Sequence, residues 1–149
     1  MEAMTSPARI LLIAHAPLAQ ALRACAVHVL GSEAGDVLAL DIAAHEAPDA
    51  SLARARALLA APGSNAGAAL LVLGDLPGGT PCNVARCLVA QLPGAALVGG
   101  VNLPMLLRAI NYRHEALPQL VARAVAGGCR AVAQLMPADG ADAGAVQAC

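Results

Sequence analysis

The chain predicts a doubly wound α/β fold: one mostly parallel sheet with helices on both faces. Three observations carry this. Short apolar runs without alternation, at residues 9–14 (RILLIA) and 68–73, have the pattern of strands buried on both sides. Segments with helical spacing of roughly 10–13 residues follow them, which makes repeated βαβ units. Gly and Pro punctuate the boundaries rather than the interiors. At 149 residues, 58% hydrophobic and 13% charged, the chain is long and apolar enough for one packed domain and is not a disordered segment.

In order, residues 9–14 form the first strand and His15-Ala16-Pro17 turns. Leu18, Leu22, Cys25 and Val29 recur on one face of a helix that Gly31 ends. Residues 37–41 are a second short strand. Asp49 or Ser51 can cap a helix through about residue 60, with Leu52 and Leu59 inward and Arg54 and Arg56 outward. Residues 68–73 are the third strand. The loop Gly74-Asp75-Leu76-Pro77-Gly78-Gly79 follows, then a helix to about residue 91, for which Thr80 is the expected cap and Pro81 the first residue. A fourth strand spans 95–99, and Asn102-Leu103-Pro104 opens another helix. A last helix covers about 117–126, stopped by Gly127-Gly128. Residues 129–134 are a candidate fifth strand, and 137–149 read as a loose tail. Arg108, Arg113, Arg123 and Arg130 have the spacing of solvated helix faces.

Several function classes fall away. Nine basic against ten acidic residues leave no basic face for nucleic acid, and one Tyr with no Phe or Trp leaves no stacking platform. Five cysteines without a C-x-x-C pair suit reduced thiols better than a disulfide framework or a zinc site. No secretory signal is expected. Residues 87–107 lack charge over a length that could span a bilayer, but Pro93, Gly94, Gly99, Gly100 and Pro104 break the run into helix end, turn, strand and new helix. No nucleotide-binding glycine motif and no nucleophile elbow is present. An acidic metal site for a phospho-aspartate is also lacking, because His15 stands where it would be.

In an open parallel sheet, ligands bind beyond the carboxyl ends of the strands, where strand order reverses. The polar residues directly after strands are His15, Asp75 and Asn102. With a 2-1-3-4 order, His15 and Asp75 face each other beside a glycine-flanked helix start. An imidazole can attack phosphorus, a carboxylate can hold its other ring N–H, and N–H groups near Gly78, Gly79 and Thr80, with the Thr80 hydroxyl, can receive phosphoryl oxygens. His28, His45 and His114 follow no strand terminus and read as structural or solvated. A module that binds a small anion at the Thr80 helix start without transfer remains the alternative reading.

Residues 10–22 (ILLIAHAPLAQAL), 74–85 (GDLPGGTPCNVA) and 99–107 (GGVNLPMLL) resemble the mannose-type EIIA domain of the bacterial phosphoenolpyruvate-dependent sugar phosphotransferase system, over about residues 9–135. The resemblance implies a cytoplasmic phosphocarrier with a three-layer α/β/α fold, a 2-1-3-4 parallel sheet and an antiparallel edge strand, around residues 129–134, exchanged within a homodimer. It implies that His15 accepts a phosphoryl group from phospho-HPr and passes it to an EIIB protein or a regulatory target. Asp75 matches the carboxylate partner, Thr80 the hydroxyl near the phosphate, and no metal or cofactor is implied. The chain has Ala14-His15-Ala16 where the family often has Thr-His-Gly, which removes a hydroxyl beside the histidine. A stand-alone EIIA is expected, with residues 1–8 and 136–149 outside the domain. The dihydroxyacetone kinase phosphocarrier shares the fold, but the G-G-T-P and V-N-x-P-M segments favour the mannose type.

Overall fold

The computed structural model describes residues 6–63, 65 and 67–137. Four strands, β1 (Arg9–His15), β2 (Leu38–Ile42), β3 (Leu70–Gly74) and β4 (Ala95–Val98), form one sheet of order β2-β1-β3-β4. All three pairings are parallel. Three helices connect them, α1 (Leu18–Leu30), α2 (Pro48–Ala60) and α3 (Thr80–Ala90), with a short 3-10 turn at Gly31–Ala34, and α4 (Leu103–Asn111) and α5 (Leu117–Arg130) follow β4.

Strand alternation divides the core in two. Ile10, Leu12, Ala14, Leu71 and Leu73 pack against α1, α4 and α5, whereas Leu11, Ile13, Leu40, Ile42, Leu70 and Val72 pack against α2 and α3. Leu11, Leu12, Ile13, Leu71 and Leu73 are fully buried. Each such side chain contributes about 1.5–3 kcal/mol relative to leaving it exposed. Burial on both faces holds β1 and β3 side by side at the centre, and reversal of strand order there brings the ends of both to one crevice.

Several boundaries differ from the periodicity. The buried stripe of α1 is Ala19, Leu22 and Ala26, while Leu18, Cys25 and Val29 are exposed. Alanines let this helix lie close to the sheet, so the smaller residues take the inner positions. Neither Asp49 nor Ser51 caps α2. Ala47 holds the cap position and Pro48 starts the helix, while the buried Ser51 hydroxyl donates to Glu46. Gly127-Gly128 does not end α5, which runs on to Arg130.

Both glycines are contact points instead. A Cβ at Gly127 would lie 2.9 Å from Arg108 Cβ, and one at Gly128 would lie 2.7 Å from Met105 Cε. Cys129 and Arg130 therefore belong to α5, and residues 131–137 form no strand within the single chain. The tail beyond residue 137 lies outside the described residues. Arg113 is not solvated: its guanidinium is buried, bonds the Ala8 carbonyl at 3.2 Å and meets Asp36 through two contacts of 2.7 and 2.6 Å. Among the described residues, no helix is long and apolar enough to cross a membrane.

Candidate functional site at the carboxyl end of the sheet

His15 is the last residue of β1, one position further into the strand than its sequence suggests, and pairs in register with Ile42. Its backbone N–H donates to Asp75 Oδ2 at 2.9 Å, and its ring Nδ1 lies 2.7 Å from the same oxygen. The other carboxylate oxygen, Oδ1, accepts the Leu76 N–H at 2.7 Å. Three donors thus converge on Asp75, which the β3 end delivers directly opposite the β1 end.

The electrostatics follow from these contacts. Burial opposes ionisation of Asp75, whose side chain is 11% exposed. The His15 N–H, the His15 ring and the Leu76 N–H outweigh that opposition and hold the carboxyl below its ordinary value of 3.8. Asp75 is therefore ionised at neutral pH and can only accept from Nδ1, so in the neutral ring the lone pair is on Nε2. The His15 side chain is 51% exposed, so the ring is reachable from solvent.

Gly79 stands against the imidazole. A Cβ built there would lie 2.9 Å from Cε1 and 3.5 Å from Nε2 of His15. Its φ of −85° is one any residue adopts, so glycine is needed here for space rather than backbone freedom. Gly78 has nothing within 4 Å of a built Cβ. The Gly79 N–H donates to the Leu76 carbonyl at 2.9 Å, and this turn starts α3 earlier than expected. Gly79 occupies the cap position and Thr80 is the first helical residue, so Thr80 does not cap α3, and no side chain does.

The segment after β4 docks on the same loop through its backbone. Gly100 and Val101 N–H groups donate to the Asp75 and Gly74 carbonyls, both at 2.9 Å. Asn102 arrives with this segment, but its side chain accepts from Met105 N at 2.9 Å and donates to Gly128 O at 3.2 Å. It shapes the crevice by starting α4 and tying it to α5. Beneath the loop, Cys82 sulfur fills the space beside Gly74, where a Cβ would lie 2.4 Å from it. Burial first, and then the Asp75 charge, raise the Cys82 thiol above its ordinary value, so it is a neutral packing group. No trio of metal-ligating side chains occurs among the described residues.

Two residues near this end of the sheet are marked weakly or not at all in the sequence. Gly79's contact with the ring is invisible without the strand order. Asp41, an acid within an otherwise apolar strand, is the one hint that β2 also serves this end of the sheet.

The EIIA-man family model, described as "PTS system fructose IIA component", matches residues 9–125. A mannose/sorbose-specific IIA subunit of the phosphotransferase system from Enterococcus faecalis is similar in structure, with a TM-score of 0.79 and 28% identity. That match covers 90% of this chain and 98% of that one. An EIIA phosphotransferase component from Streptococcus agalactiae matches with a TM-score of 0.74 and 22% identity, over 85% of this chain and 95% of its own. At that identity the likeness speaks to fold alone. No match was found among curated protein sequences.

Proposed function

The chain belongs to the EIIA-man family of phosphotransferase-system IIA components, and from that premise we propose that His15 is its phosphoryl acceptor and donor. Family membership supports a phosphocarrier role in the sugar phosphotransferase system in general. The observation that carries the assignment to His15 is the 2.7 Å contact between Nδ1 and Asp75, which turns Nε2 of the half-exposed ring toward Gly79.

The chemistry is a displacement at phosphorus. The Nε2 lone pair forms the P–N bond as the bond from phosphorus to the donor breaks, and the electron pair leaves with the donor. The Nδ1 proton stays in place, so the ring becomes cationic and the Asp75 carboxylate stabilises it. Because Gly79's N–H is engaged by Leu76, Gly78 and Thr80 are the loop groups left to meet the equatorial oxygens. The donor is phospho-HPr, and the acceptor is an EIIB protein or a regulatory target. Incubation with phospho-HPr is expected to give an acid-labile adduct on the wild type and none on His15→Ala. An adduct that survives that substitution overturns the assignment.

Asp75→Asn is expected to slow transfer about 100-fold or more. An amide cannot accept at both oxygens' positions: its NH₂ must face either the His15 donors or the Leu76 N–H. Unaltered kinetics in this variant would remove Asp75's orienting role.

The functional unit is a homodimer formed by exchange of the segment after α5. Val132, Leu135 and Met136 are exposed there, and β4 is an edge strand that pairs, among the described residues, with β3 alone. Sedimentation is expected to return a dimer for the full chain and a monomer after truncation at Arg130. A dimer that survives truncation places the interface elsewhere.

A further inference from the structure

We infer that Asp41 is a positioning residue for His15, acting from the neighbouring strand through the start of α1. The inference rests on the His15 reading above but concerns a residue outside the His15–Asp75 pair. Only Ala16 and Pro17 separate His15 from α1. That helix has no cap of its own: Pro17 holds the cap position, no side chain from the local sequence bonds there, and the first turn carries no acid. The acceptor comes instead from β2, where Asp41 Oδ1 receives the Ala19 N–H at 2.8 Å and the Gln20 N–H at 3.3 Å.

These bonds fix both sides of the nucleophile. Upstream, the His15 N–H is held by Asp75. Downstream, the Ala16 N–H donates to the Ile42 carbonyl at 3.0 Å, and three residues on, at Ala19, α1 is clamped by Asp41. The chain from Ala16 to Gln20 is thus stitched to two adjacent residues of β2. Gln20 adds a third point, donating to the Ala39 carbonyl at 3.1 Å. With the backbone fixed at 15 and again at 16–20, the Cα–Cβ bond of His15 keeps the direction that sets the ring on Asp75.

Asp41 is itself braced. Arg54 of α2 donates to its carbonyl at 3.1 Å and pairs with Glu46 at 2.5 Å, and Glu46 accepts from the buried Ser51 hydroxyl. A second effect comes from the charge. The N-terminal donors of α1 face a carboxylate, so they are not directed at an incoming anion beside His15. The start of α3, which carries no capping side chain, is left to take that part.

The test reads the ring directly, by long-range nitrogen–proton NMR of His15 in alkaline solution, without any phosphoryl donor. The wild type is expected to show one tautomer, protonated at Nδ1. Asp41→Ala is expected to lose that preference and exchange between tautomers, with Asp41→Asn intermediate because it keeps one acceptor oxygen. Signals remote from α1 should stay in place in both. With phospho-HPr, transfer to Asp41→Ala is expected to be roughly 10- to 100-fold slower. If Ala19 and Gln20 amide signals move while the His15 tautomer does not, Asp41 is only a helix cap and the inference is overturned. Should Asp41→Ala fail to fold, Asp41→Asn decides by the same comparison: a displaced ring signal supports the inference and an unchanged one overturns it. A wild type that accepts no phosphoryl group from phospho-HPr, yet whose ring responds to Asp41 substitution, overturns the carrier reading and leaves the positioning role standing.

Discussion

Single atoms decide how the His15 site is built. Both Asp75 oxygens have protein partners: one holds the imidazole and the other its own loop through Leu76. Gly79 and Gly78 look equivalent in the sequence and differ in the fold. Ala at 79 brings a methyl within 2.9 Å of Cε1, so the ring must turn away from Asp75 or the loop must retreat. The backbone tolerates Ala at this φ, so stability should change by no more than about 0.5 kcal/mol while transfer falls by tenfold or more, roughly. Gly78→Ala meets open space and should leave both unchanged. Phosphorylation rates and urea melts of the two variants check this; equal rates would mean that the ring is not confined by Gly79. The His15–Asp75 pairing was legible in the sequence because both residues directly follow apolar runs. Gly79's part was not, because a steric contact across 64 residues leaves no local pattern.

Elements show the same division. Pro at 48, 81, 104 and 118 stands in the first turn of a helix, where its missing N–H costs nothing, and these starts were readable or nearly so. The Gly127-Gly128 pair was misleading. Its composition says helix end, but α4 approaches α5 so closely there that Met105 and Arg108 occupy the room a side chain would need. Gly128→Ala should therefore destabilise the fold by about 1–3 kcal/mol through overpacking, despite a gain of about 1 kcal/mol in helix propensity. A rise in the urea midpoint would show instead that α4 can shift to make room. The loss should extend to the site end, because Asn102 binds both α4 and the Gly128 carbonyl.

Across the whole molecule, the site end and the opposite end are each closed by a depressed carboxyl. Opposite the site, the hydrogen bond from Arg113 lowers Asp36 first, against burial and with the Arg113 charge adding to it. At the site, the donors on Asp75 outweigh its burial. Each group binds a proton more weakly folded than unfolded. Its contribution to stability is therefore present above the ordinary value of 3.8 and is lost as pH falls through the lower folded value. Urea melts from about pH 5 to about pH 2 should show falling stability, with a flatter profile for Asp36→Asn. An equally steep profile in that variant would place the acid sensitivity elsewhere. The same ion pair shows why Arg113 deceived: its spacing is that of a solvated helix residue, while Ala8 and Asp36, distant in sequence, enclose it. By itself the sequence determined the α/β class, the strand and helix order along the chain, and the placing of His15, Asp75 and the glycine loop at the carboxyl ends of strands. These depend on hydrophobic runs and turn residues, which act locally. The family resemblance already implied the 2-1-3-4 order that sets β1 beside β3, and only the tertiary structure decided that Nδ1 rather than Nε2 meets Asp75 and that Asp41 holds α1 from another strand. Those contacts arise when separate elements pack, and packing leaves no periodic trace in any one of them.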